Sequence, residues 1–317
     1  MRWLVPELSE WPGDRADIGG LSEWVGSVLP GASVVRGPVE VLRVKRWGAT
    51  GLFEVDGEYV VVKHACPVVY PHAAAVHRAV ERAYPQATAE LLAHDDDAVW
   101  QRSVFAYVSG PTVETVGPAA LVTQARTLGE VQSAMADVDL RGLPQYDLTA
   151  IPETLLADLS RVADLDDELV AGLRRHLPAL QRGIEELTAA VPISIDHPDI
   201  QGTNGLVRDN ESVVLLDWEE ARVGCPMISL DRLRQEADEV GNVPEVLAAY
   251  LDALPWGTAA EKRHLADIAL QVAPLKLAVE AREYARIIGL PHPHTRYVTT
   301  LVTRSLSRLV SGAQLPG

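Results

Sequence analysis

With 317 residues, 47% of them hydrophobic, the chain is long enough for two lobes around a substantial buried core. A formal charge of −16 with no basic face argues against a nucleic-acid or anionic-membrane surface and would welcome a cationic partner, although acidity on this scale commonly serves solubility alone. Two distant cysteines, Cys66 and Cys225, make neither a disulfide framework nor a thiolate metal site. With no export signal and no window of roughly 18 uncharged apolar residues, the expectation is a cytoplasmic protein, neither secreted nor embedded.

In chain order, a helix is expected at about 20 to 29, then strands over Glu40–Trp47, Gly51–Val55 and Glu58–Lys63. Asp56-Gly57 tolerates the positive φ of a hairpin turn, so residues 40 to 63 read as an antiparallel meander. Ala75, Val76, Ala79, Val80 and Ala83 mark a helix over 72 to 84, and Val99–Val108 reads as another strand. After Ser109-Gly-Pro-Thr112 the periodicity turns helical, with core stripes through Leu121, Leu128 and Met135, through Leu173, Leu180 and Leu187, and through Leu265, Val272 and Val279. One short β segment, Ile193 to Leu216, interrupts these helices, with Arg208–Glu211 as a turn inside it. The expected organisation is α+β: a small antiparallel-sheet lobe over 1–108 and a larger helical lobe over 109–317.

Within that β segment, residues 197 to 204 concentrate His197, Asp199, Gln201, Thr203 and Asn204 between two apolar runs. Asp and Asn favour turns in any protein, and a cluster of polar caps is the plain account of them. Flanking strands would hold such a loop rigidly, however, as a reactive site requires. Asp199 is suited to accept a proton from an attacking hydroxyl, Asn204 to turn a neutral oxygen onto a hard cation, and Asp217, at the end of Val213–Leu216, to supply that cation's anionic ligand. One base with an Asn/Asp pair on magnesium suits phosphoryl transfer. A bound polyanion such as a nucleotide would need local cations, because charges beyond about 10 Å are screened.

His197-x-Asp199-x4-Asn204 followed by Asp217-Trp218-Glu219 resembles the catalytic loop and metal-binding segment of the aminoglycoside phosphotransferase family, small-molecule kinases with a protein-kinase-like two-lobe fold. The resemblance extends to Gly48-Ala49-Thr50-Gly51, where that family places a nucleotide-covering loop, to Lys63 on the third strand, to the linker at 105 to 110 and to Gly224-x-Pro226. It implies Asp199 as catalytic base, Asn204 and Asp217 as holders of Mg2+ bridging the phosphates of ATP or GTP, Lys63 as partner of the α/β-phosphates and His197 as a brace for the loop. It also implies that the backbone of Phe105, Ala106, Tyr107 and Val108 hydrogen-bonds the purine, and that a small hydroxylated molecule, plausibly an antibiotic, is the acceptor. Three positions depart from the family pattern: Ala73 stands where a helix glutamate usually pairs with the lysine, Pro198 replaces a common glycine and Gln201 a common histidine. Glu81, the nearest acid, lies eight residues on and about 80° around the helix, so Lys63 is expected to find another partner or the helix to be displaced.

Other features read blandly. His292 and His294, beside prolines, suggest a surface loop rather than a metal site, and Glu219, Glu220, Asp231, Asp238 and Glu239 suggest solvated helix faces rather than a cationic-substrate pocket. No GxSxG, Walker A, HExxH or GxGxxG sequence is present. Within the kinase reading a metabolite such as an amino alcohol or sugar is the alternative acceptor; against it stand a kinase-like nucleotide binder without turnover, motivated by Ala73, and a metal-dependent hydrolase, for which His197 is a thin ligand supply.

Overall fold

The computed structural model describes residues 18–45, 48–67, 69–96, 100–159, 167–288 and 293–311. The expected strand ends at Trp47 and Val99, His292 and the side chain of His294 lie outside them. The N-terminal part is a five-stranded antiparallel sheet in the order β1-β2-β3-β5-β4, built from β1 (Val35–Lys45), β2 (Gly48–Val55), β3 (Glu58–Ala65), β4 (Leu91–Asp96) and β5 (Gln101–Ala106). Helix α1 (Ser22–Val28) precedes it and α2 (Ala73–Ala83) is inserted between β3 and β4. The expected meander is present, turning at Asp56 (φ 51) and Gly57 (φ 93).

Strand alternation decides what this sheet offers to each side. Val60 and Val62 point into a small core with Phe53, Val104, Leu21 and Val25 beneath α1, so Lys63, one residue on, faces the opposite side. That opposite side meets α2, where the buried His77 packs edge-on against Phe105 and its Nε2 donates to Ala89 O at 2.7 Å.

Gly48–Gly51 is not a loop. All four residues belong to β2, in register with Ala65–Val62 of β3. The glycines serve close packing: a Cβ on Gly51 would lie 3.2 Å from Ile18 and from Pro38, and one on Gly48 would lie 3.3 Å from His64 O. Two glycines before an alternating run look the same in sequence whether they turn or pack.

The rest is helical: α3 (Val113–Val116), α4 (Pro118–Met135), α5 (Ile151–Leu159), α6 (Asp167–Ala190), α7 (Leu230–Glu239), α8 (Val243–Ala253), α9 (Ala259–Ile288) and α10 (Pro293–Ser311). Leu128, Met135, Leu173, Leu180, Ile184, Trp218 and Tyr250 are among the largest side chains of a continuous core, to which Val76, Ala79 and Val80 of α2 also belong. Between α6 and α7 lie four short strands, β6 (Ser194–Asp196), β7 (Gly205–Val207), β8 (Val213–Leu215) and β9 (Arg222–Gly224). β7 pairs with β8 around the expected turn, but β6 pairs with β9 rather than with β7, so the polar loop between β6 and β7 spans two separate ribbons. The linker into this part lies along β7: Val207 N donates to Pro111 O at 2.9 Å, and Gly110, at φ +145, comes so close that a Cβ would sit 2.1 Å from Val207 O.

His77 gives this arrangement an acid sensitivity. Burial is the main cause that lowers its pKa from 6.5 to about 4, opposed by the bond to Ala89. The unfolded chain therefore takes up a proton that the folded chain refuses, and the associated stability is complete above pH 6.5 and drains away as pH falls towards 4. Within that window each pH unit is expected to cost up to about 1.4 kcal/mol; urea unfolding at pH 7 and pH 4.5 should reveal a loss that His77→Gln abolishes.

Candidate active site

Two turns carry the candidate residues. After β6, the chain runs through His197 and Asp199 to a short 3-10 turn over Gly202–Asn204 that leads into β7. After β8, Leu216 enters Asp217, which adopts the left-handed conformation (φ 58, ψ 47) and caps a second 3-10 turn, Trp218–Glu220. An aspartate tolerates that conformation better than most residues, and here it points the carboxylate back towards the sheet.

Lys63, Asp199 and Asp217 line one cleft between the sheet and the helical part, together with Gly48, Ala49 and Thr50 of β2, and with Arg43, Glu219 and Glu220. Its empty space, open mouth included, is about 510 Å³. Asn204 lies directly beneath: its Nδ2 donates to Asp199 O at 2.9 Å and to Asp199 Oδ2 at 3.0 Å, while its backbone oxygen accepts from Leu216 N at 2.8 Å. The nitrogen being committed to Asp199, the side-chain oxygen is the end of the amide left for a cation.

Other expected nucleotide contacts are distributed differently. Gly51 packs on Ile18 and Pro38, away from the cleft. Phe105 and Ala106 remain inside β5, paired with Val61 and Val60, and the Ala106 N–H is spent on Glu90 O at 2.9 Å. Phe105 reaches the site with its ring, 5.8 Å from Lys63 Nζ. Tyr107 and Val108 line a separate open groove with Ser109, Arg208, Asp209 and Asn210.

Lys63 finds its partner across the cleft. Its ammonium bonds to Asp217 Oδ1 and to both carboxylate oxygens of Glu219, at 2.8 and 2.9 Å, and Arg43 adds a weaker contact to Asp217 at 3.9 Å. Burial works against the charge on Lys63, but the two carboxylates outweigh it and hold the ammonium protonated well above the usual lysine range. Burial likewise opposes ionisation of Asp217, and Lys63 overcomes it, leaving the carboxyl below its ordinary 3.8. Glu81 is occupied elsewhere, accepting from Leu91 N at 3.3 Å. The expectation of solvated faces for Glu219 and Glu220 is thus corrected: both line the cleft, and Glu220 accepts from Tyr70 OH at 3.2 Å. Asp231 is corrected too. It is fully buried and bonded to Arg304 at 2.9 Å and Arg308 at 2.5 Å, its countercharges coming from α10, more than seventy residues away in sequence.

His197 is buried. Its Nε2 donates to Leu216 O at 2.9 Å, and its ring packs at 4.6 Å on Trp218, tying the first turn to the second. Below it lies an arrangement that no motif announces. Lys276 of α9 pairs with Asp196 at 2.7 Å and with Glu280 at 2.7 Å, and Asp196 Oδ1 accepts from Ser229 Oγ at 2.8 Å. That hydroxyl in turn accepts from His197 N at 2.9 Å. Asp196 and Glu280 keep Lys276 protonated despite its complete burial. Lys276→Met, which strands a buried carboxylate, is expected to lose about 3–5 kcal/mol in urea unfolding, whereas Asp196→Leu/Lys276→Met should recover most of that loss.

The sequence matches the APH profile, described as the phosphotransferase enzyme family, over residues 49–254. No curated protein matches it in sequence. Among solved structures, a thermostable mutant of aminoglycoside phosphotransferase APH(4)-Ia in a ternary complex with AMP-PNP and hygromycin B is similar with a TM-score of 0.62 at 17% identity, over 92% of this chain and 99% of that one. A choline/ethanolamine kinase family protein from Mesorhizobium loti is similar with a TM-score of 0.62 at 19% identity, over 91% and 95%. Spectinomycin phosphotransferase APH(9)-Ia, in complex with ADP and spectinomycin, has a TM-score of 0.51 at 12% identity, over 90% and 97%. At these identities the likeness is one of fold.

Proposed function

The chain belongs to the phosphotransferase enzyme family, and on that premise we propose that it transfers the γ-phosphate of ATP or GTP to a hydroxyl group of a small molecule. The observation that carries this reading is the convergence of Lys63, Asp199 and Asp217 on one cleft, with Asn204 bonded to the first aspartate. Asp199 accepts the proton of the acceptor hydroxyl as that oxygen bonds to the γ-phosphorus; the bond to the bridging oxygen breaks, and its electron pair leaves with the nucleoside diphosphate. Lys63 neutralises the α/β-phosphates, with Glu219 as the carboxylate that holds it in place. Asn204 and Asp217 present hard oxygen donors of the kind magnesium prefers, and the ion would supply charge neutralisation at the phosphates. We assign residues up to 108 to nucleotide binding and residues from 109 to the catalytic loop, metal site and acceptor pocket.

The structural relatives support the two substrates by their contents: AMP-PNP or ADP on one side, hygromycin B or spectinomycin on the other. An antibiotic is accordingly the first acceptor class, and a role in resistance follows from it. An amino alcohol is the second, favoured by the likeness to the choline/ethanolamine kinase family protein and by the carboxylates of Glu219 and Glu220 in the cleft, which suit a cationic acceptor. A cytoplasmic location fits both, since Cys66 and Cys225 are both buried thiols.

Incubation of the protein with Mg-ATP or Mg-GTP and a mixed panel of antibiotics, amino alcohols and sugars is expected to yield one class of product carrying an added phosphate in mass spectra. Asp199→Ala should lower that turnover by about 10²-fold or more while leaving nucleotide affinity near that of the unaltered protein. Undiminished turnover in Asp199→Ala would remove the assignment.

A further inference from the structure

We propose that Gln201 and Arg232 act as a positioning pair, in which the arginine sets the orientation of the glutamine amide and the amide holds the carboxylate of Asp199 for the acceptor hydroxyl; this rests on the phosphotransferase reading above. Gln201 stands where the family commonly has histidine, and the structure gives its side chain a definite task. Its Nε2 donates to Asp199 Oδ1 at 2.9 Å and Oδ2 at 3.0 Å, and its Oε1 accepts from Arg232 Nη2 at 2.6 Å. Arg232 is held by Glu236, one turn on in α7, at 2.9 Å, and Glu236 Oε2 accepts from Gly202 N at 2.8 Å. The circuit therefore leaves the candidate catalytic loop at Gln201 and returns to it at Gly202, through α7, which is anchored in the large core by Leu230, Leu233 and Ala237.

The two ends of this amide are not interchangeable. A guanidinium has only donors, so beside Arg232 the amide must present its oxygen, and its NH2 group is thereby directed at Asp199. Without the arginine, either end of the amide can face the carboxylate, and the wrong end sets oxygen against oxygen. With it, the carboxylate receives donors from Gln201 on both oxygens and from Asn204 on Oδ2. A carboxylate offers about four lone-pair positions, so capacity remains for one hydroxyl, in a plane the amides have fixed. The backbone oxygen of Gln201 is also secured, by Gln124 Nε2 at 2.9 Å, so the residue cannot move off as a whole.

Gln201 and Arg232 line neither the lysine side of the cleft nor the bonds around Lys63, so the pair should affect chemistry and leave nucleotide binding alone. The test is a double-mutant cycle on kcat and nucleotide KM with the acceptor found by mass spectrometry or, failing one, with nucleotide hydrolysis, with fluorescent-nucleotide affinity and Tm recorded for each variant. Gln201→Met, which keeps volume and cannot donate, is expected to lower kcat about 10²-fold, and Arg232→Met about 10-fold, each with nucleotide KM within about twofold of the unaltered protein. The double variant should be little slower than Gln201→Met alone, because the arginine reaches the Asp199 carboxylate through the glutamine, its tie to Gly202 through Glu236 bearing on the loop backbone instead. Arg232→Lys should recover part of the loss, and it replaces Arg232→Met in the cycle if the latter unfolds. Unchanged kcat in Gln201→Met, or effects that multiply independently in the double variant, would overturn the pairing while leaving the phosphotransferase reading intact. An unaltered protein that neither phosphorylates an acceptor nor hydrolyses nucleotide would overturn both.

Discussion

A lysine ammonium projecting from the sheet and paired with two carboxylates from the helical part is the constraint around which this molecule is arranged. Lys63 is the residue that strand alternation turns away from the α1 core, and both Asp217 and Glu219 stand on a turn anchored in the opposite core by the buried Trp218. Such a pair is costly to desolvate and repays the cost only if its geometry is held from both sides. The structure holds it through β2 and β5 flanking Lys63, and through the left-handed Asp217 and the His197 bond to Leu216 on the other side. The cleft, the candidate catalytic loop and the candidate metal ligands all follow from bringing those two supports together.

Beneath the loop, polarity is organised as chains that lead to backbone atoms rather than to solvent. Lys276 reaches His197 N through Asp196 and Ser229, and Arg232 reaches Gly202 N through Glu236. Gln132 adds a third anchor, donating to Ile195 O at 2.8 Å and Ser229 Oγ at 3.1 Å while accepting from Tyr250 OH at 2.7 Å. Charged groups contribute little to net stability when buried, but once satisfied they admit few alternative arrangements. A loop that is to hold a reactive side chain in place benefits from that restriction more than from additional apolar packing.

Much of this was legible in the residues. The meander around Asp56-Gly57, the α2 helix and the stripes through Leu128, Leu180 and Val272 obey short-range periodicities, and short-range patterns are written locally. The loop residues Asp199 and Asn204 and the downstream Asp217 could be singled out as candidates because their order and spacing resemble a family motif, and the structure brings Asp199 and Asp217 to one cleft with Asn204 bonded to Asp199. What was not legible depends on contacts distant in sequence. Glu219 is 156 residues from the lysine it holds, Lys276 is 80 from Asp196, and nothing local distinguishes a glycine that turns from one that packs against Ile18. β4 was missed for a related reason: as an edge strand with little buried surface it carries almost no alternation, and its residues include His94, Asp95 and Asp96.

The location of α2 has a mechanical consequence. Although it lies between two strands of the sheet in sequence, Val76, Ala79 and Val80 are built into the large core, and the linker at Gly110 is pressed onto β7. Any opening of the cleft between the sheet and the large core would therefore shear along the boundary between the sheet and α2. The lever in such an opening would be the sheet with α1 on its back, and its stroke would have to pull the Lys63 ammonium out from between two carboxylates.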